Sequence, residues 1–201
     1  ATDSPADTNP WGSRNLQRIA WGLIALGVAI RVLRFALRFP LWGDESFVAA
    51  NFIDREFLDL LRPLDYHQVC PLGFLWVEWL SVRWFGFNEY ALRLPSLIAG
   101  VLGLALFVPM ARTVLRGLPL VLAVGILAVG YYPVRHSAEV KPYASDLLIT
   151  VLLLWLAMLA WRRPLQSRWW WWLAVLSPLA LAGSHPAAFV AGGISLASLA
   201  R

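Results

Sequence analysis

Long apolar runs separated by short polar breaks set the pattern of this chain. The first covers about residues 17–39, and others follow at about 94–111, 118–133, 143–161, 169–181 and 187–200. These runs approach the roughly 20 apolar residues that a helix needs to cross a bilayer. The pattern predicts an all-α polytopic membrane bundle of about six transmembrane helices. The run at 71–86 is shorter and carries Glu78, Arg83, Trp76, Trp79 and Trp84. Its length and polarity suit a helix lying at the membrane surface better than a span. Over residues 45–61, Phe47, Ala50, Ile53, Phe57 and Leu60 recur at helical spacing, with Asp54, Arg55, Glu56 and Asp59 on the other side. That spacing predicts a second interfacial helix, stopped by Pro63.

Composition agrees with a membrane chain. Hydrophobic residues make up 59% of it and charged residues 14%, where a soluble domain carries about 25% charge. The net charge of +5 comes from loop arginines, not from a basic run with interleaved aromatics, so nucleic acid is not an expected partner. The twelve Trp fit anchoring at the membrane interface. Cys70 is the single cysteine, which leaves no disulfide framework.

Arginine placement sets the expected topology. If 71–86 lies on the membrane, Arg112, Arg116, Arg162, Arg163 and Arg168 share the cytoplasmic side with Arg14 and Arg18, as the positive-inside bias requires. If it spans, those five fall outside. The first arrangement predicts a cytoplasmic N-terminus with a disordered tail at 1–13, a transmembrane module at 14–201, and one large external loop at 40–93. That loop holds eight of the twelve acidic residues. The first run is too long for a signal peptide and is expected to remain as an anchor.

The candidate chemistry then gathers on one membrane face. Asp44 and Glu45 stand directly after the first apolar run, where carboxylates are costly unless they meet water, a cation or a substrate. Asp44 at a helix start also reads as an N-cap, and the two roles are compatible. Arg31, Arg34 and Arg38 form a stripe that either snorkels to the interface or meets anionic lipid or phosphate. A later loop offers His136, Glu139, Lys141 and Tyr143, of which Glu139 and Lys141 also read as a weak surface pair. His67, beside Gln68, and His185 are isolated. Acidic external loops could hold a divalent cation through oxygen ligands, but no paired His or Cys spacing points to tightly held zinc.

These residues carry a resemblance. Leu41-Trp42-Gly43-Asp44-Glu45, then Asp65-Tyr66-His67-Gln68 with Pro71-Leu72, then the stretch from Trp84-Phe85-Gly86 through Arg93-Leu94-Pro95-Ser96, and later Ser137-Ala138-Glu139-Val140-Lys141-Pro142-Tyr143 resemble the GT-C integral-membrane glycosyltransferases. The likeness is to their protein mannosyltransferase and aminoarabinose transferase branch, over about residues 17–190. It implies two external interfacial helices after the first span. It also implies inverting transfer of a sugar from a polyprenyl-phosphate donor to a lipid or protein hydroxyl outside a bacterial cytoplasmic membrane. By position Asp44 matches the family's first-loop acidic residue, taken as general base, and Glu139 matches the second acidic residue. Glu45, Arg31, Arg34, His67, Lys141, Tyr143 and His185 are the expected substrate contacts. Family members are longer than these 201 residues, so the chain is expected to be a fragment or a shortened relative. The alternative is a non-catalytic subunit of this origin, packed among membrane lipids in a larger complex.

Overall fold

The computed structural model describes residues 10–200, and among them the fold is entirely helical, with no strand. Helix α1 (Arg14–Ala36) starts at Ser13, whose hydroxyl accepts the Leu16 N–H at 3.3 Å. It is followed by α2 (Gly43–Asp54), 3-10 turns at Asp59–Leu61 and Asp65–His67, and α3 (Leu72–Phe85). Helix α4 (Glu89–Ala111) is capped by Asn88, whose side-chain oxygen accepts the N–H groups of Tyr90 and Ala91, each at 3.0 Å. Then come α5 (Leu118–Val129), α6 (Tyr131–His136), α7 (Tyr143–Arg162), α8 (Ser167–Gly183) and α9 (Ala187–Leu199).

A helix forms at every apolar run. Three of them, α1, α4 and α7, are long and apolar enough to cross a membrane by length and composition, while α5 and α9 are shorter apolar helices. The chain is an integral membrane protein.

Helix α4 packs against α1, α3, α5 and α7, and α7 in turn packs against α8 and α9. Helices α1 and α4 run antiparallel, whereas α4 and α7 run parallel, with Ser96 beside the entry of α7 and Thr113 beside its exit. At one end Arg38 binds Glu89 at 2.9 Å, joining the exit of α1 to the entry of α4. At the other end Arg112 stacks on Trp11 at 4.3 Å, the Gly117 N–H meets the Pro10 carbonyl at 3.1 Å, and Thr113 reaches Met158. Arg112 and Arg116 therefore lie with the entry of α1, and the α7–α8 turn carrying Arg162, Arg163 and Arg168 lies at the same end. The acidic segments occupy the opposite end.

Three details differ from the sequence reading. Residues 1–9 of the expected disordered tail lie outside the described residues, but Trp11 is buried, with Arg112 over its ring. Helix α2 ends at Asp54, well before 61, because Arg55 turns to extended backbone. The Arg55 guanidinium donates to the Pro63 carbonyl at 3.0 Å and to Asp65 at 2.9 Å, folding the chain back on itself. The face that α2 buries is Glu45, Val48, Ala49 and Phe52, whereas Phe47 and Ile53 of the expected stripe are exposed. Finally, the run at 118–133 breaks at Gly130 (ψ 139°) into α5 and α6. Pro133 has no N–H to give, and its ring would strike the carbonyl one turn back if the helix continued.

Candidate functional site

The site is assembled where α2, the start of α4 and the loop between α6 and α7 meet. Glu45 is the junction. Its carboxylate accepts the Val140 N–H at 2.8 Å and the Arg93 guanidinium at 2.9 Å, and it also reaches back to the Trp42 N–H at 3.3 Å. Arg93 continues the link to the carbonyls of Phe39 and Pro40. Both side chains are almost fully buried. The pair thus ties α2, α4, the α1–α2 connection and the loop at 137–142 into one unit. A second tether comes from Ser96, whose hydroxyl donates to the Glu139 carbonyl at 2.7 Å. A third is steric: Gly100 lets α4 approach Ser137 so closely that a Cβ there would lie 2.5 Å from the serine Cβ.

Asp44, one residue before this clamp, points outward. Its side chain is 55% exposed, and the Lys141 ammonium lies 3.9 Å away. Lys141 is itself mostly buried and donates to Gln68 at 3.0 Å. Asp44, Lys141 and Gln68 therefore come from three separate segments and meet at one end of the bundle.

Glu139 lies in the same loop as Lys141 but is buried, its two oxygens held by Arg135 and by His136 Nδ1 at 2.8 Å. Burial alone would push its carboxyl up, but the hydrogen bonds and charges of His136 and Arg135 outweigh this and hold its pKa below the ordinary value. The His136 ring packs against Tyr143 at 4.4 Å, and Arg135 lies over Trp42 at 5.2 Å. Tyr143 thus supports the Glu139 cluster, and nearly half of its surface remains exposed.

The other residues scatter. Arg31, expected to face lipid or phosphate, is fully buried. It donates to the carbonyls of Gly27 (2.8 Å), Ala128 (2.6 Å) and Leu127 (2.9 Å). It caps the end of α5, whose last carbonyls have no helical partner where the chain breaks at Gly130. Arg34 is half-buried beneath the Phe39 ring at 5.1 Å. His67 is exposed and lines a hollow of about 650 Å³ with Leu60, Gln68 and Cys70. Tyr66 and His67 both take left-handed backbone (φ 57° and 54°), which costs energy for residues with a Cβ. Stacking of Tyr66 on Phe47 at 5.0 Å and the Asn51 bond to the Asp65 N–H at 2.9 Å hold that turn against α2. Burial raises the neighbouring Cys70 thiol to about 11. His185 lies further round, within electrostatic reach of Asp146 on the first turn of α7.

An apolar groove of about 450 Å³ runs beside these groups between α3, α4, α7 and α8. Gly73, Ser96, Ser145 and Gly183 line its inner part, and the exposed rings of Trp84 and Phe85 line its outer part. Sequence reasoning did not single out Arg93 or Asp146, and met Ser184 only as a neighbour of His185. Arg93 sat inside a recognised motif, but nothing local marks it as the buried partner of Glu45. The described residues gather no group of three or more His, Cys, Asp and Glu fit to hold a metal ion.

The family model for dolichyl-phosphate-mannose-protein mannosyltransferase matches residues 69–197. The match includes Arg93, Glu139, Lys141, Asp146 and His185, and begins after Asp44. No curated protein and no solved structure matches the chain. With well over half of its length matched, the chain belongs to the dolichyl-phosphate-mannose-protein mannosyltransferase family.

Proposed function

We propose that this protein transfers a sugar from a polyprenyl-phosphate donor to a hydroxyl acceptor, with Asp44 as general base. The observation that carries the reading is the placement of Asp44. Its exposed carboxylate stands beside the Lys141 ammonium, one residue from a buried clamp that fixes its backbone.

The chemistry needs three things. A hydroxyl is a poor nucleophile until a positioned carboxylate accepts its proton during attack. In a single displacement the acceptor oxygen bonds to the anomeric carbon as the bond from that carbon to the phosphate oxygen breaks. The electron pair leaves with the polyprenyl phosphate, and the anomeric configuration inverts. Lys141, near Asp44, supplies a positive charge for the phosphate, where developing charge is best stabilised by fixed donors. The groove between α3, α4, α7 and α8 suits the prenyl chain, since its walls are apolar and it ends against Ser96 and Ser145.

The segregation of arginines supports an orientation with Arg14, Arg18, Arg112, Arg116 and Arg162 on the cytoplasmic side. The site then opens on the external face of a bacterial cytoplasmic membrane. On this reading α2 and α3 lie at that surface, and Glu139 orders the loop that carries Lys141.

The test is incubation of purified protein with polyprenyl-phosphate sugars and a hydroxyl acceptor, scoring inverted product. Asp44→Asn is expected to abolish transfer while the melting temperature and membrane insertion stay unchanged. Full activity in that variant overturns the role of Asp44.

A further inference from the structure

Two polar side chains near the inner part of the apolar groove have little beyond each other for the partners that burial normally demands. Ser184, at the C-terminal end of α8, is fully buried, and its hydroxyl has only a loose contact with the Asp146 carboxylate for a polar partner. Asp146, on the first turn of α7, lies beside it. One Asp146 oxygen is shielded from water and also lacks a partner, while the residue as a whole is only half-buried. Their chain neighbours Ser145 and Gly183 both line the groove. The geometry there is tight. Gly73 of α3 meets the backbone of Ala182 and Gly183 so closely that a Cβ would lie 3.1 Å away, and a Cβ on Gly183 would lie 3.0 Å from Ile149. Helices α3, α7 and α8 are therefore pinned together at this point, and the Asp146–Ser184 pair is held in place.

A buried polar group without a partner costs free energy, and native folds seldom keep one without a use. A carboxylate accepts hydrogen bonds only, whereas a serine hydroxyl both donates and accepts. Side by side they complement adjacent hydroxyls on one face of a sugar ring. Cys70 connects this corner to the rest of the site. Its thiol feels the charges of both Lys141 and Asp146, and Lys141 is the group facing Asp44.

We propose that Asp146 and Ser184 form the hydroxyl-recognition subsite for the sugar of the donor, across the site from Asp44. This rests on the transferase reading above and adds to it the residues that select the sugar. The subsite lies close to the inner end of the groove assigned to the prenyl chain. A glycosyl group joined to that chain through phosphate would be presented between Asp44 and the Asp146–Ser184 pair.

The experiment compares wild type, Asp146→Asn, Ser184→Ala and the double variant. The probes are a polyprenyl-phosphate hexose, its monodeoxy analogues and sugar-free polyprenyl phosphate. Each single variant should raise KM for the hexose donor about tenfold, as expected for a lost hydrogen bond to a charged group, with kcat changed less than threefold. For one deoxy donor the difference between wild type and variant should disappear. Competition by sugar-free polyprenyl phosphate should be unchanged. Melting temperatures should stay close to wild type, because Asp146→Asn keeps the shape and an accepting oxygen of the side chain and Ser184→Ala removes only a loosely held hydroxyl. Wild-type KM and an unchanged deoxy profile in the variants overturn this inference alone, as does equal weakening of the sugar-free lipid. Absence of transfer by the wild type from every donor tried overturns the transferase reading, and this subsite with it.

Discussion

Glu45 accepts the backbone N–H of Val140 at 2.8 Å, across 95 residues of sequence. This bond, together with the Arg93 ion pair at 2.9 Å, sets the separation of the two segments that carry Asp44 and Lys141. The carboxylate beside Asp44 is thus part of the frame, and Asp44 is the exposed one, to which the general-base role is proposed. A general base must be held within hydrogen-bond reach of its proton, and small displacements are costly in rate.

Breaking the clamp should therefore impair fold and rate together. Removing one partner of a buried ion pair leaves the other uncompensated, at roughly 3–5 kcal/mol. Glu45→Ala and Arg93→Ala should each lower the melting temperature in detergent by several degrees and reduce kcat. The double variant should be less damaged than the sum of the two, because neither charge is then stranded. Additive losses in a double-mutant cycle on thermal stability would show that the two side chains do not act as a pair.

Arg31 should behave as a structural residue. Its guanidinium serves three carbonyls where α1 crosses α5, and Gly27 permits that crossing, since a Cβ there would meet Ala128 at 2.8 Å. Arg31→Leu leaves the Ala128 and Leu127 carbonyls at the end of α5 without this donor, a loss of about 1–3 kcal/mol for each buried group stranded. The melting temperature should fall sharply, and the KM for lipid donor in the surviving folded protein should stay within twofold of wild type. A tenfold rise in KM at unchanged stability would return Arg31 to the ligand.

Glu139 carries an acid-sensitive share of stability. Its folded pKa is depressed by His136 and Arg135 in excess of the opposing effect of burial. Its contribution is therefore present above the ordinary glutamate value, about 4.3, and is lost as pH falls through the folded value. Glu139→Gln should lower stability at pH 7 by about 1–3 kcal/mol and flatten the fall of melting temperature below pH 5. Parallel curves for variant and wild type would exclude the proposed ionic contact.

The sequence displayed the helical class and the separation of arginines from acids because both follow from hydropathy and charge along the chain. The helices lie at the apolar runs for the same reason. Periodicity failed at α2. Phe47, Ala50 and Ile53 do form a stripe, but the surface they cover is not the one the bundle buries. An amphipathic pattern shows that a helix has two faces, not which neighbour each face meets. The structural contacts of Arg31 and Glu45 were hidden in the sequence, since each has a partner nearly a hundred residues away on backbone atoms that carry no sequence signal. Asp146 and Ser184 look ordinary in the sequence, and only the packing of α3, α7 and α8 brings them together as a buried pair.

Glu78 provides a separate test of the packing of α3. The side chain is completely buried, and neither carboxylate oxygen has a hydrogen-bond partner. Burial raises its pKa well above the ordinary value. The sign follows from proton linkage. Between the unfolded value, about 4.3, and the raised folded value, the unfolded chain releases a proton that the folded chain keeps, so folding loses stability as pH rises. Glu78→Met, of similar length and without charge, should raise the melting temperature at pH 8, by an amount corresponding to about 1–4 kcal/mol. The advantage should shrink as pH is lowered toward 4, where the wild-type carboxyl is protonated in both states. Thermal unfolding of both proteins in the same detergent from pH 4 to pH 8 measures this directly. A stability difference that does not change with pH would mean that the Glu78 carboxyl finds water or a cation in the folded protein, and that α3 does not seal it from both.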